Sequence, residues 1–321
     1  MDDLLLALRA AAEPTRLRLL ALAARGAFCV SELSEILGQS QPRISRHLRL
    51  LHEAGLLERL REGVNAWFGL PDGARGALVR ELLAHVPPND PQLESDRRQA
   101  VRVLAERARE ASEKFRRQGA DWDEMRALDL PAAAVETALL EQFPSFGIGR
   151  LLDIGTGTGR LLELFAGRVS GAIGIDASPA MLALARARLG RAGISHCAVR
   201  QADMYRLPFA NAEFDTALLQ MVLHYADDPA EVLAEAARVL RPGGILAVVD
   251  LAEHARADVV TRLAHRWPGF SDNDMDRKLH NAGLTSAAPV IVSGPLVTCV
   301  WVATKRAVSP ALDETEERQF A

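Results

Sequence analysis

From Leu151 onward, short apolar runs alternate with longer segments whose apolar residues recur at helical spacing. The runs LLDI, AIGID, CAVRQA, TALLQM and ILAVVD are nearly continuous in apolar residues. That is the pattern of strands buried on both faces. Leu161–Arg168, Pro179–Leu189 and Pro229–Leu240 read as the helices between them. Such alternation predicts an α/β domain, Rossmann-like, with a mostly parallel sheet covered on both faces.

Residues 12–70 have a different rhythm. Pro14-Thr15 opens an amphipathic helix through Ala24, and Ser31 is expected to cap SELSEILG, with Gly38 as its stop. After Gln39-Ser40-Gln41-Pro42, the segment RISRHLRLLHEAG turns Ile44, Leu48 and Leu51 inward at helical spacing. LLERLREGVNAWFGL then reads as two strands around a turn near Glu62–Asn65. The prolines of VPPNDPQ cannot continue a helix and mark a linker. From Ser95 to Gln118 no proline or glycine interrupts an Ala-, Arg- and Glu-rich stretch, which predicts a connecting helix. The expected division is 1–86, an N-terminal winged helix-turn-helix; 87–119, linker and connecting helix; 120–306, the α/β domain; and 307–321, a charged tail.

Composition changes this picture little. The 321 residues exceed one ordinary core. A formal net charge of −4 excludes a basic nucleic-acid coat but not a local basic surface. Cys29, Cys197 and Cys299 are scattered without C-x-x-C spacing, so a reducing cytoplasm is expected. No apolar run approaches about 20 residues, so no membrane span is expected.

In the N-terminal region Arg43, Ser45, Arg46, His47 and Arg49 are left outward on one helix, with Gln41 at its start and no acid until Glu53. Such a helix after a short helix and a tight turn enters a major groove, where Arg and Gln read base edges and Ser holds phosphate. Arg59 and Arg61, on the hairpin, are placed to reach the backbone or minor groove. SQPRISRHLRLLHEAGLL and the following hairpin resemble the ArsR/SmtB winged-helix repressors over residues 1–86. The resemblance implies a double-stranded DNA operator and a homodimer built from the first and last helices, Met1–Arg9 and Ala74–Val86. Metal sensing does not carry over. Cys29 fits the first position of the family's thiolate pair, but Ser31 stands at the second, and the last helix offers only His85. No metal is expected, and Cys29 reads as a small core residue.

LLDIGTGTGR is a strand running into a glycine loop and a helix, where Gly155, Gly157 and Gly159 let backbone approach a ligand. The loop alone also suits a nucleotide such as NAD. Asp153 is placed for the ligand's ammonium, Asp176 for ribose hydroxyls, and Asp203-Met204, read as ending the next strand, for adenine. The set resembles the class I S-adenosyl-L-methionine-dependent methyltransferases, together with LPFANAEFD, TALLQMVLHYADDP and VLRPGGILAVVD. The resemblance implies that Asp153, Gly155, Thr156, Gly157, Asp176, Asp203, Met204 and Gln220 line the cofactor pocket, with apolar contact from Ala177 and Leu207. It implies S-adenosyl-L-homocysteine as product and a small-molecule methyl acceptor.

His224, just past the fourth strand of this domain, is the candidate general base, with a structural histidine as the alternative. By the same comparison Phe115 and Trp122 lie over the site's mouth. Glu253, His254, His265 and Trp267 follow the fifth strand, on the substrate side; their spacing matches no strong metal motif. The tetrad of DNA-base amino methyltransferases is absent after the fourth strand, where Leu219-Gln220-Met221-Val222 stands. Two functions stay open. One is a regulator that also methylates a small molecule; the other is a repressor that senses the cofactor or its product without chemistry.

Overall fold

The structure is a computed structural model that describes residues 1–306 apart from 63–64, 72, 88, 118–124, 126–127 and 146, and apart from the side chains of 61–62, 65 and 108–117. Helices α1 (Asp2–Ala11) and α2 (Pro14–Ala23) meet at Glu13, whose carboxylate accepts the Arg16 N–H at 2.9 Å and caps α2. A two-residue strand, β1 (Phe28–Cys29), follows. Helix α3 (Val30–Leu37) starts at Cys29 rather than at the expected cap Ser31. The reason is local: the Glu32 carboxylate reaches back to the Cys29 N–H at 2.9 Å. Gly38 ends α3 in the left-handed region, φ +64°, as expected.

Helix α4 (Gln41–Glu53) has Pro42 in its first turn and buries Ile44, Leu48 and Leu51. Strands β2 (Glu58–Glu62) and β3 (Asn65–Gly69) form the expected hairpin, and β1 joins it in the order β1-β3-β2. Helix α5 (Ala74–Ala84) closes this unit. The connecting helix α6 (Pro91–Arg117) begins four residues before Ser95, because Asp90 accepts the N–H groups of Gln92 and Leu93 and so caps it early.

After α7 (Ala132–Glu141) the chain runs β4 (Arg150–Ile154), α8 (Arg160–Phe165), β5 (Gly171–Asp176), α9 (Pro179–Ala192), β6 (Cys197–Gln201) and β7 (Phe214–Gln220). A single 3-10 turn, Leu223–Tyr225, precedes α10 (Pro229–Val239) and the long β8 (Leu240–Leu251). Helices α11 (Ala257–Leu263) and α12 (Asp272–Asn281) and strands β9 (Leu284–Ser286), β10 (Val290–Val292) and β11 (Thr298–Lys305) complete the described chain. The sheet order is β10-β11-β8-β7-β4-β5-β6, with β9 also pairing β11. Pairs among β4 to β8 are parallel, whereas β11 is antiparallel to β8, β9 and β10. This is the mostly parallel α/β sheet that the apolar pattern predicts.

Two apolar clusters pack against the sheet, one centred on Phe165 and Val135, the other on Phe214, Phe270 and Trp301. The chain moves from β4 outward through β5 to β6, then returns to β7 on the other side of β4. That reversal opens a crevice at the carboxyl ends of β4, β5 and β7. A third cluster joins the N-terminal helices to Ala100, Val103 and Leu104 of α6 and Ala187 of α9. Among the described residues no helix is long and apolar enough to cross a membrane.

Candidate functional site

The crevice gathers the glycine loop, Asp176 and Gln220. Gly155, Gly157 and Gly159 all have positive φ, and a Cβ on Gly155 would lie 2.4 Å from a Val222 methyl. Above Gly157, by contrast, a Cβ would meet nothing within 4 Å, so the backbone there faces open space. Asp176 ends β5, and its two oxygens accept the Gly157 N–H at 2.9 Å and the Ser178 N–H at 2.8 Å. Each oxygen keeps one lone pair for a hydroxyl. Burial raises the Asp176 carboxyl above its ordinary value, against those two bonds. Gln220 ends β7, and its buried Oε1 has no hydrogen-bond partner among the described residues. A buried orphan acceptor beside an open glycine loop calls for a polar ligand with N–H or O–H groups.

Asp153, at 1 % exposure, is deeper. Burial pushes its carboxyl up to about 7, the Thr156 hydroxyl lowers it, and the Asp176 charge raises it further. Thr156, expected among the cofactor-lining residues, directs its donors inward. Its hydroxyl donates to Asp153 at 2.6 Å, and its N–H to the Ile175 carbonyl at 2.8 Å. Both of its donors are thus used within the protein, and its hydroxyl holds Asp153. Asp203 lies beyond β6 rather than ending it, in an exposed turn where it accepts the Tyr205 N–H at 3.0 Å. Met204 beside it is half-buried, Ala177 is exposed, and Leu207 is buried in the core.

His224 is fully buried in the 3-10 turn after β7. Its Nδ1 lies 2.6 Å from Asp250 Oδ1, near the end of β8. Asp250 also accepts the N–H groups of Leu223 and Leu251, which fix its plane. The sequence reading overlooked Asp250; its signal is an acid near the carboxyl end of an apolar strand, as at Asp153 and Asp176. Met221, between Gln220 and this pair, holds φ +55° and donates its N–H to Val249. The His265 ring lies 4.2 Å from that of His224, and the Tyr225 ring 4.3 Å away. The Trp267 indole donates to the Ala226 carbonyl at 2.8 Å, tying the following segment over the turn. Burial, then the nearby His265, lowers His254, whose Nε2 is buried without a partner among the described residues. His265 therefore packs beside His224, and His254 lies near His265. Glu253 is exposed, and the Phe115 side chain and Trp122 lie outside the described residues.

On α4, Arg43, Arg46 and Arg49 are exposed, and among the described residues none has an ion pair. Gln41 is exposed at the helix start, and Ser45 is half-buried. His47 leaves the outward set: its side chain is 14 % exposed and its Nδ1 stands 3.6 Å from Glu13. Arg59 is exposed on β2, while the Arg61 side chain lies outside the described residues. Burial pushes the Cys29 thiol up, with Glu32 adding to the rise. Cys197 and Cys299 are raised by burial to about 12 and about 11, in keeping with core thiols.

Residues 152–248 match the methyltransferase domain family, and residues 13–59 match the bacterial regulatory proteins of the arsR family. The chain thus carries an arsR-type helix-turn-helix followed by a methyltransferase domain. It is 38% identical over 103 residues to a phosphatidylethanolamine N-methyltransferase of Cereibacter sphaeroides, covering 32% of this chain and 50% of the relative. It is 38% identical over 121 residues to a demethylmenaquinone methyltransferase of Thermus thermophilus, covering 36% and 51%. The chain spans about half the length of these curated relatives. One chain in the complex of a methyltransferase activator with a methyltransferase from Haloferax volcanii shares the fold, with a TM-score of 0.52 and 19% identity over 62% of this chain and 98% of that one. S-adenosyl-L-methionine is the cofactor this domain implies. The open loop at Gly157, the spare lone pairs of Asp176 and the orphan Gln220 acceptor fit its hydroxyl- and amine-bearing adenosyl group.

Proposed function

We propose that this chain is a homodimeric, ArsR-type DNA-binding transcriptional regulator whose second domain, residues 120–306, methylates a small molecule. The observation that carries the catalytic half is the buried His224–Asp250 pair, 2.6 Å apart beside Gln220. A mere cofactor sensor has no need of an oriented imidazole. The bound cofactor would supply an electrophilic methyl group on a sulfonium. Asp176 would hold the ribose hydroxyls, Asp153 the ammonium, and the Met204 backbone with Asp203 the adenine. Asp250, accepting from His224 Nδ1–H, would fix the plane and tautomer of the imidazole proposed as base for a hydroxyl or amine acceptor. His265, Tyr225 and Trp267 wall off water around it.

The DNA-binding half rests on Arg43, Arg46 and Arg49, with Arg59 on the hairpin. Homodimerisation is supported by Leu4, Leu5, Leu6 and Leu8 of α1, which are 38–53% exposed, an apolar stripe that a second copy would cover. The test is S-adenosyl-L-homocysteine release against a panel of hydroxyl, amine and carboxylate acceptors. His224→Gln and Asp250→Asn should retain cofactor binding in calorimetry and lower turnover by about 10²-fold or more. Asp176→Ala should lose binding itself. Full turnover in His224→Gln removes the base; no turnover with any acceptor, despite tight binding, favours the sensor.

A further inference from the structure

A cavity of about 330 Å³ lies away from the cofactor crevice, where α2, the end of α5, the start of α6 and the C-terminus of α9 meet. Small-molecule pockets begin at about 300 Å³, so the space suits a single compact ligand. Neither the cofactor nor the proposed acceptor accounts for it. Asp176 lies just before α9, whereas Gly190 and Gly193 line the cavity at its far end. The 14 residues of α9 separate the two sites by about 20 Å at 1.5 Å per residue.

The lining has a distinct chemistry. Leu22, Leu83, Val86 and Leu93 make an apolar wall from three helical segments. Arg18 is held rigidly, with Nε and Nη2 donating to the two oxygens of Asp96 at 2.6 and 2.7 Å. The Asp96 side chain is 4% exposed, so this fork is locked inside the wall. It uses one edge of the guanidinium and leaves Nη1 without an acceptor among the described residues. Arg25, in the turn just past the end of α2, also lines the cavity, exposed and without an ion pair among the described residues. One pre-oriented guanidinium edge and one free guanidinium, beside leucines and a valine, form a receptor for an anion with an apolar body.

We propose that this cavity binds a small hydrophobic carboxylic acid. Its carboxylate lies on Arg18 Nη1 and Arg25, and its apolar body lies against Leu22, Leu83, Val86 and Leu93. The inference is independent of the methyl-transfer reading. Because the walls come from both the DNA-facing unit and α9, such an acid is a candidate effector separate from cofactor and acceptor.

The experiment is calorimetric titration of the full chain with naphthalene-2-carboxylate, with and without saturating S-adenosyl-L-homocysteine. The expected result is saturable one-to-one binding that the homocysteine product does not displace. Naphthalene-2-carboxamide should bind at least tenfold more weakly. Arg25→Gln, a change at an exposed position, should weaken the carboxylate at least tenfold, and Ala21→Trp, which fills the cavity, should abolish binding. Absence of saturable binding, equal affinity for the carboxamide, displacement by the homocysteine product, or wild-type affinity in Arg25→Gln would each overturn the proposal.

Discussion

At the residue scale, the crevice is governed by what its carboxylates already hold. Asp176 is polarised by two backbone donors and stays open to hydroxyls, while Asp153 is buried and, among the described residues, hydrogen-bonded only to the Thr156 hydroxyl. The Asp153 carboxyl is raised from 3.8 to about 7. A raised acid stabilises the fold below its unfolded value, and that contribution is lost as pH rises through about 7. An ammonium bound to Asp153 demands the ionised form. Cofactor affinity should therefore rise between pH 6 and pH 8, by up to about tenfold per unit below the folded pKa. Calorimetry across this range should show the rise in the wild type and not in Asp153→Asn. A flat wild-type profile would take Asp153 out of contact with the ammonium. Residue types and spacing made the crevice acids legible. They did not reveal that Thr156 serves Asp153, because that requires knowing where its hydroxyl points.

At the scale of elements, α4 carries the DNA-facing reading. Its apolar positions Ile44, Leu48 and Leu51 are all buried, so Arg43, Arg46 and Arg49 are forced outward by the helical period alone. His47 lies at the edge of that stripe, and the nearby Glu13 accounts for its departure. Arg46→Ala should weaken binding to a duplex from the gene's own promoter region by about 1–3 kcal/mol. If the contact is to phosphate, the salt slope should also fall by about one. Unchanged affinity in a salt titration would exclude α4 from the groove. The strand β1 shows the opposite case. Two residues are too few for alternation to register, and their partner Phe68 lies 40 positions away from Phe28, so only the folded sheet reveals them.

At the scale of the molecule, the two functional surfaces share packing. Helix α6 contributes Ala100, Val103 and Leu104 to the N-terminal core, which also takes in Ala187 of α9. Arg186 of α9 lies 3.4 Å from the ring centre of Trp67 on β3, and both are at 8% exposure. A desolvated contact of this type contributes about 2 kcal/mol. Helix α9 therefore begins beside the crevice acid Asp176 and touches the hairpin strand β3 further along. Cofactor and DNA should change each other's affinity by the same factor, about fivefold or more, and Trp67→Leu should reduce that factor while leaving each separate binding event in place. Calorimetry with S-adenosyl-L-homocysteine, free and DNA-bound, reads both directions. Equal cofactor affinity in the two states would mean that the surfaces act independently.

The local periods of the chain determined most of the element types, and hence the α/β class, together with the glycine loop with its acids and the outward arginines, since each depends on residues close together in sequence. The tertiary structure decided what those periods cannot encode. It brought Asp250 to His224 across 26 positions, set Arg186 over Trp67, and formed a half-open cavity between helices distant in the chain. Such contacts depend on how separate elements dock, and docking is fixed by the shapes of whole buried faces rather than by any stretch of sequence.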